Sequence, residues 1–137
     1  MKRSVPVVAV VFLMISGFAV SALADSAARP PSILGTWTGN GLMMDKAGTV
    51  STIPVVLVVS SQKKGLFQGA IEESPEGSFL GFSITGTFAN PNLTFSGIDA
   101  DGLTVFGYGQ KVGKTIKLKI YDFKNGVTTV TVKKQGS

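Results

Sequence analysis

The fold is decided by residues 115–134, which read TIKLKIYDFKNGVTTVTVKK. Apolar residues take every second position in 116–120 and again in 130–132, and lysine, threonine or tyrosine stands beside them. This alternation is typical of β-strands with one buried and one solvated face. Between the two runs lies Asn125-Gly126, a pair that tolerates the positive φ angles of a tight hairpin turn. The stretch therefore predicts an antiparallel hairpin.

The same pattern extends back to Ile33, with about ten residues of β-type sequence between successive turn signals. We predict eight strands, near residues 33–44, 49–60, 66–73, 78–88, 93–99, 103–111, 115–123 and 127–134. No apolar stripe of helical period is present, and the many glycines would each cost a helix about 1 kcal/mol. Because every connection is short, sequential strands should pair as a meander. The expected fold is an all-β, eight-stranded antiparallel up-and-down barrel, and an open β-sandwich is the alternative.

The chain begins with the features of a secretory signal peptide. Met1-Lys2-Arg3 is basic, residues 5–20 are apolar, and Ser21-Ala22-Leu23-Ala24 supplies small residues for cleavage after Ala24. A membrane anchor is the competing interpretation, but the apolar run is shorter than the ~20 residues that span a bilayer. We therefore expect a secreted or periplasmic protein with a signal peptide (1–24), an extended leader (25–32) and a β-barrel domain (33–137), without a membrane span after cleavage.

The composition excludes much catalytic chemistry. The chain has no cysteine and no histidine, so disulfides, Ser-His-Asp or Cys-His catalytic sites and His-ligated metals are impossible. Most of the eight carboxylates fall in or beside predicted turns, where acids are usually solvated, and their spacing predicts no convergent pair. We expect a non-enzymatic protein with no catalytic residues, cofactor or metal site.

Basic residues are concentrated at the end of the chain. Residues 111–134 hold seven lysines and one acid, Asp122. A solvated face is the simpler interpretation, and binding of a protein or an anionic polymer through Lys117, Lys119 and Lys133 is the alternative. Arginine is absent from this region, which disfavours nucleic acid.

The second predicted strand differs from the others because residues 53–59, IPVVLVV, are apolar on both faces. One face would line the barrel, and the other would need a cover. A subunit interface, giving a homo-oligomer, and the 25–32 leader are both candidates. Pro54 could instead act as a gatekeeper against strand addition.

The first strand contains Gly35-Thr36-Trp37, and the phrases Phe67-Gln68-Gly69 and Ile84-Thr85-Gly86 follow later. A Gly-x-Trp at the start of an eight-stranded meander resembles the calycins, which include the lipocalin-like and avidin-like barrels. The resemblance implies a closed barrel in which Trp37 plugs one end and a small molecule enters at the other. The single tryptophan and the missing C-terminal helix depart from the avidin and lipocalin patterns, respectively.

An enclosed ligand would need an apolar lining with a few polar groups. The candidate ligand-binding residues are Trp37, Asn40, Phe67, Phe82, Phe95 and Tyr108. The phenylalanines alternate with polar residues and should point inward, either as core or as cavity lining. The glycines beside them would either let the barrel curve or leave a cavity. The expected function is the binding of a small, apolar or amphipathic ligand.

Overall fold

The chain folds into a single closed sheet, seen in a computed structural model that describes residues 31–75 and 79–136. The strands are β1 (Gly35–Met44), β2 (Val50–Lys63), β3 (Leu66–Glu73), β4 (Leu80–Ala89), β5 (Asn92–Ile98), β6 (Thr104–Val112), β7 (Thr115–Asp122) and β8 (Gly126–Lys134). Each strand pairs antiparallel with the next along the chain, and β8 pairs with β1. The predicted all-β, eight-stranded meander barrel is confirmed, and the open sandwich is excluded.

Closure depends on the register between the first and last strands. Trp37 lies opposite Lys134, and Met44 lies opposite Val127. The Gln135 N–H extends this ladder by donating to the Thr36 carbonyl at 2.8 Å. Because both edges of the sheet are paired in this way, the eight described strands leave no free edge for another chain to join.

Two kinds of tight turn connect the strands. Between β2 and β3, Lys64 and Gly65 take φ angles of 52° and 79°, which form the short hairpin turn that their positions predict. Three other turns begin with an aspartate whose carboxylate accepts backbone N–H groups. These aspartates are Asp45, Asp99 and Asp122.

The meander gives the barrel two ends with different connections. The turns β1–β2, β3–β4, β5–β6 and β7–β8 lie at one end, which we call the odd end. The turns β2–β3, β4–β5 and β6–β7, the start of β1 and the end of β8 lie at the other, the even end. Trp37 and Ile33 are buried near the even end.

The predicted signal peptide, and the predicted leader up to residue 30, lie outside the described residues. Ile33, which precedes β1, already belongs to the core, and its N–H donates to the Gln62 side chain at 2.8 Å. Among residues 31–75 and 79–136, no helix is long and apolar enough to cross a membrane.

Candidate binding surfaces

Trp37 lies inside the barrel, close to where the chain enters it. Its side chain is 1% exposed, and its indole N–H donates to the Ile33 carbonyl at 2.9 Å. The Lys134 ammonium lies 5.8 Å from the centre of the indole ring, within the range of a cation–π contact. Trp37 therefore helps to close the even end.

Phe67, Phe82 and Phe95 also point inward, as their alternation predicts. Together with Trp37 they belong to one core cluster of buried side chains. Two of these rings pack directly over inward-facing glycines. A Cβ at Gly86 would lie 2.7 Å from the Phe67 ring, and one at Gly107 would lie 2.4 Å from the Phe95 ring. The rings thus fill the space that these two glycines leave, which supports core packing over cavity lining at both positions.

Asn40 and Tyr108 face the solvent on the outside of the barrel. Asn40 pairs with Pro54 across β1 and β2, and Tyr108 pairs with Lys119 across β6 and β7. Alternation explains both positions, since each lies an odd number of residues from an inward neighbour, Trp37 and Val105 respectively. Neither side chain can contact a ligand inside the barrel. The six predicted ligand-binding residues therefore do not all face the interior.

The three lysines of the predicted basic hairpin also face outward. Lys117 and Lys133 are exposed, and Lys119 is half-buried. Lys117 pairs with Gln110 on β6, and Lys133 pairs with Thr38 on β1. Lys117 and Lys119 therefore lie on one face beside β6, and Lys133 lies on β8 as a diagonal neighbour of Lys117.

The outer face of β6 and β7 carries a feature that the sequence analysis did not identify. Four aromatic side chains form a continuous cluster, which we call the aromatic ladder: Phe106, Tyr108, Tyr121 and Phe123. The rings of Phe106 and Tyr121 stack at 4.8 Å with an interplanar angle of 8°. Phe123 is 64% exposed and Tyr108 is 45% exposed. A hydrogen bond with the Tyr108 hydroxyl raises the pKa of Tyr121, which links the two phenols.

An open groove of about 650 Å³ runs beside the ladder across the outer faces of the preceding strands. Phe106 and Phe123 form one wall of this groove. Its polar lining consists of hydroxyl and amide side chains: Ser60, Gln68, Ser83, Thr85, Ser96 and Thr104. The outside of the barrel therefore combines exposed aromatic rings, neutral hydrogen-bonding groups and lysines on neighbouring strands.

The apolar strand β2 has a simpler arrangement than its sequence suggests. Ile53, Val55 and Leu57 point into the core, and only Pro54, Val56 and Val58 face outward. Val56 and Val58 are half-buried by their neighbours. The predicted homo-oligomer through residues 53–59 stays a prediction.

Two acids are buried at the odd end of the barrel. Glu73 ends β3 and Asp122 ends β7, on opposite sides of the barrel, and they are 1% and 5% exposed. Among the described residues, neither carboxylate oxygen of Glu73 has a hydrogen-bond partner. Burial raises the pKa of Glu73 from 4.5 to about 7; the Asp122 carboxyl adds to the increase, and the Thr128 side chain opposes it.

The alternation of inward and outward residues along β3 and β7 predicts the position of both acids. Glu73 continues the inward series of Phe67 and Ile71, and Asp122 continues that of Leu118 and Ile120. Acids next to turns are expected to be solvated, but both of these still occupy inward positions of a strand. The expectation that acids beside turns are solvated is wrong for Glu73 and Asp122, which are buried.

The fold and these surfaces define a small closed β-barrel, compatible with the calycin resemblance. Comparison with models of known protein families and with curated proteins finds no match.

Proposed function

We propose that the protein is an exported, non-enzymatic binding barrel that holds an anionic polysaccharide on its outer face. The observation that carries this proposal is the position of the aromatic ladder directly beside Lys117 and Lys119. Tyr108 pairs with Lys119 across the sheet, so a ring and an ammonium group lie on adjacent strands of the same exposed face. Exposed aromatic patches rimmed by polar residues are typical of interaction sites.

Each part of this face suits one part of a sugar polymer. The apolar faces of sugar rings can pack on the exposed rings of Phe106, Tyr108 and Phe123. Carboxylate or sulfate groups can form charge-assisted hydrogen bonds with Lys117 and Lys119. The serine, threonine and glutamine side chains of the groove can exchange hydrogen bonds with sugar hydroxyls.

We also propose that the protein has no catalytic activity. Glu73 has the raised pKa that an acid catalyst needs, and the Asp122 carboxyl contributes to the increase. Both are buried, however, and a general acid must come within hydrogen-bond reach of its substrate. We therefore assign the pair no catalytic role.

The enclosed-ligand hypothesis has weaker support, because Phe67 and Phe95 fill the space at Gly86 and Gly107. The closed barrel and the buried Trp37 support this hypothesis, because both fit membership of the calycins. Native mass spectrometry of the protein purified from its own host tests this second function. A small molecule that co-purifies and survives gentle ionisation would favour the enclosed ligand over the outer face.

The outer-face proposal is tested by calorimetric titration with polygalacturonate, alginate and heparin, with neutral dextran as the uncharged comparison. We expect binding to at least one anionic polymer and none to dextran. A Phe106→Ala/Tyr108→Ala variant and a Lys117→Glu/Lys119→Glu variant should each bind at least about tenfold more weakly. Phe79→Ala removes an exposed ring that lies off the ladder and should leave binding unchanged. Wild-type affinity in the ladder variant, or no binding to any of the three anionic polymers, would contradict the proposal.

A further inference from the structure

The described charged residues are separated along the barrel axis. Six acids lie at the odd end: Asp45, Glu72, Glu73, Asp99, Asp101 and Asp122. The lysines at that end are Lys46 and Lys124, both in turns. At the even end, by contrast, the described residues include no acid. The meander creates this separation, because alternate turns of an up-and-down barrel lie at the same end.

Six lysines surround the even end: Lys63, Lys64, Lys111, Lys114, Lys133 and Lys134. Backbone hydrogen bonds join neighbouring turns and strands at this end. The Phe88 N–H donates to the Gly65 carbonyl, and the Lys111 N–H donates to the Pro91 carbonyl at 2.8 Å. The lysines therefore lie on the turns and strand ends around one end of the barrel, which we call the cationic rim.

Exposed apolar side chains stand within this rim. Leu66 follows the β2–β3 turn, Val112 precedes the β6–β7 turn, and they are 61% and 55% exposed. Leu34 lies where the chain enters the barrel and is also exposed. The odd end exposes apolar residues too, including Val50 and Phe79, but there they stand among acids. Among the residues that the structure describes, only the even end combines exposed apolar side chains with positive charge that no acid compensates.

We propose that the even end docks on the surface of an anionic lipid bilayer. Lysines next to an anionic leaflet are attracted to its headgroups, and small apolar side chains can enter the boundary between headgroups and acyl chains. The acids at the far end favour the same orientation, because an anionic surface repels them. This docking site is separate from the outer-face site, whose aromatic ladder lies on the side of the barrel.

The test is sedimentation of the full protein, as its host produces it, with two kinds of vesicle. One contains phosphatidylglycerol and phosphatidylcholine, and the other contains phosphatidylcholine alone. We expect the protein to bind the first kind only and to dissociate as salt is raised. Lys63→Glu/Lys114→Glu should weaken binding at least about tenfold, because each lysine near the surface contributes severalfold in affinity.

Lys46→Glu/Lys124→Glu is the matched control. It reverses the same number of exposed lysines at the odd end and should bind as the wild type does. Leu66→Ser/Val112→Ser tests the apolar contribution and should also weaken binding. Three results would overturn the proposal: equal binding to both kinds of vesicle, equal loss in the two lysine variants, or unchanged binding in the leucine–valine variant. If the protein does not bind anionic vesicles, the polysaccharide proposal is unaffected. That proposal depends on a different set of residues: Phe106, Tyr108, Lys117 and Lys119.

Discussion

The Phe95 ring occupies the place that a side chain at Gly107 would take. The two residues are paired across β5 and β6, and a Cβ at Gly107 would lie 2.4 Å from the ring's Cζ atom and 2.8 Å from the Lys119 carbonyl oxygen. Gly86 and Phe67 repeat the arrangement across β3 and β4. A narrow eight-stranded barrel has little interior volume, so a large inward side chain is accommodated where its cross-strand partner has none.

Gly107→Ala should therefore destabilise the barrel. The added methyl group overlaps both a buried ring and backbone, and overpacking of this kind typically costs about 1–3 kcal/mol. Urea unfolding followed by tryptophan fluorescence measures the change. Gly81→Ala is the control, because its Cβ would meet only the exposed Phe79 ring at 3.1 Å. Equal stability of the two variants would show that Phe95 does not fill this space.

The pKa of Glu73 predicts how stability depends on pH. Its value of about 7 in the folded state exceeds the ordinary 4.5, so the folded protein binds this proton more tightly than the unfolded chain does. The stabilisation is fully present below pH 4.5 and is lost as the pH rises through 7, with an upper limit of about 3 kcal/mol. Glu73→Gln should remove this dependence and should be more stable than the wild type at pH 8. Thermal unfolding from pH 4.5 to 8 measures both effects, and a wild type that gains stability across this range would contradict the assignment.

Trp37 should be important for the stability of the even end. Trp37→Phe removes the hydrogen bond to the Ile33 carbonyl and leaves that buried acceptor without its donor, which should cost about 1–3 kcal/mol. Chemical unfolding monitored by far-UV circular dichroism measures the loss. Lys134→Met tests the cation–π contact separately and should cost less, about 0.5–1 kcal/mol. A Trp37→Phe variant as stable as the wild type would show that the indole hydrogen bond is unimportant.

Asp99 should stabilise its turn through its carboxylate. It accepts the N–H groups of Asp101 and Leu103 at 2.9 and 2.8 Å. Asp99→Ala should destabilise the protein by about 1–3 kcal/mol, since hydrogen bonds to charged groups are stronger than neutral ones. Asp101→Ala removes a neighbouring exposed carboxylate and is the matched control, expected within about 0.5 kcal/mol of the wild type. Thermal denaturation of both variants measures these changes in stability.

The fold was predictable because local patterns and tertiary structure agree in this chain. The predicted strands match the observed ones to within about three residues, and Gly126 of the predicted Asn125-Gly126 turn has a positive φ of 132°. Alternation also placed Phe67, Phe82 and Phe95 correctly. The same rule places Glu73 and Asp122 inside, although both lie beside turns, where acids are usually solvated.

The candidate site was harder to predict because it depends on register between strands. Phe106 and Tyr121 lie on different strands, and they stack only because β6 and β7 pair so that these residues are opposite. Outward aromatic residues that alternate with inward glycines, as Phe106 and Tyr108 do with Gly107 and Gly109, also reverse the usual hydrophobic pattern. The separation of charge between the ends, by contrast, follows from the meander and could have been inferred from turn order alone.

The central claim is that the barrel binds its partner outside rather than inside. Amide and side-chain NMR signals recorded during titration with the anionic polymer of highest affinity test it most directly. We predict that shift changes concentrate on Phe106, Tyr108, Lys117, Lys119 and Tyr121, while the signals of Trp37, Phe67 and Phe82 stay in place. Changes centred on those three interior residues, with the aromatic ladder unaffected, would contradict the claim.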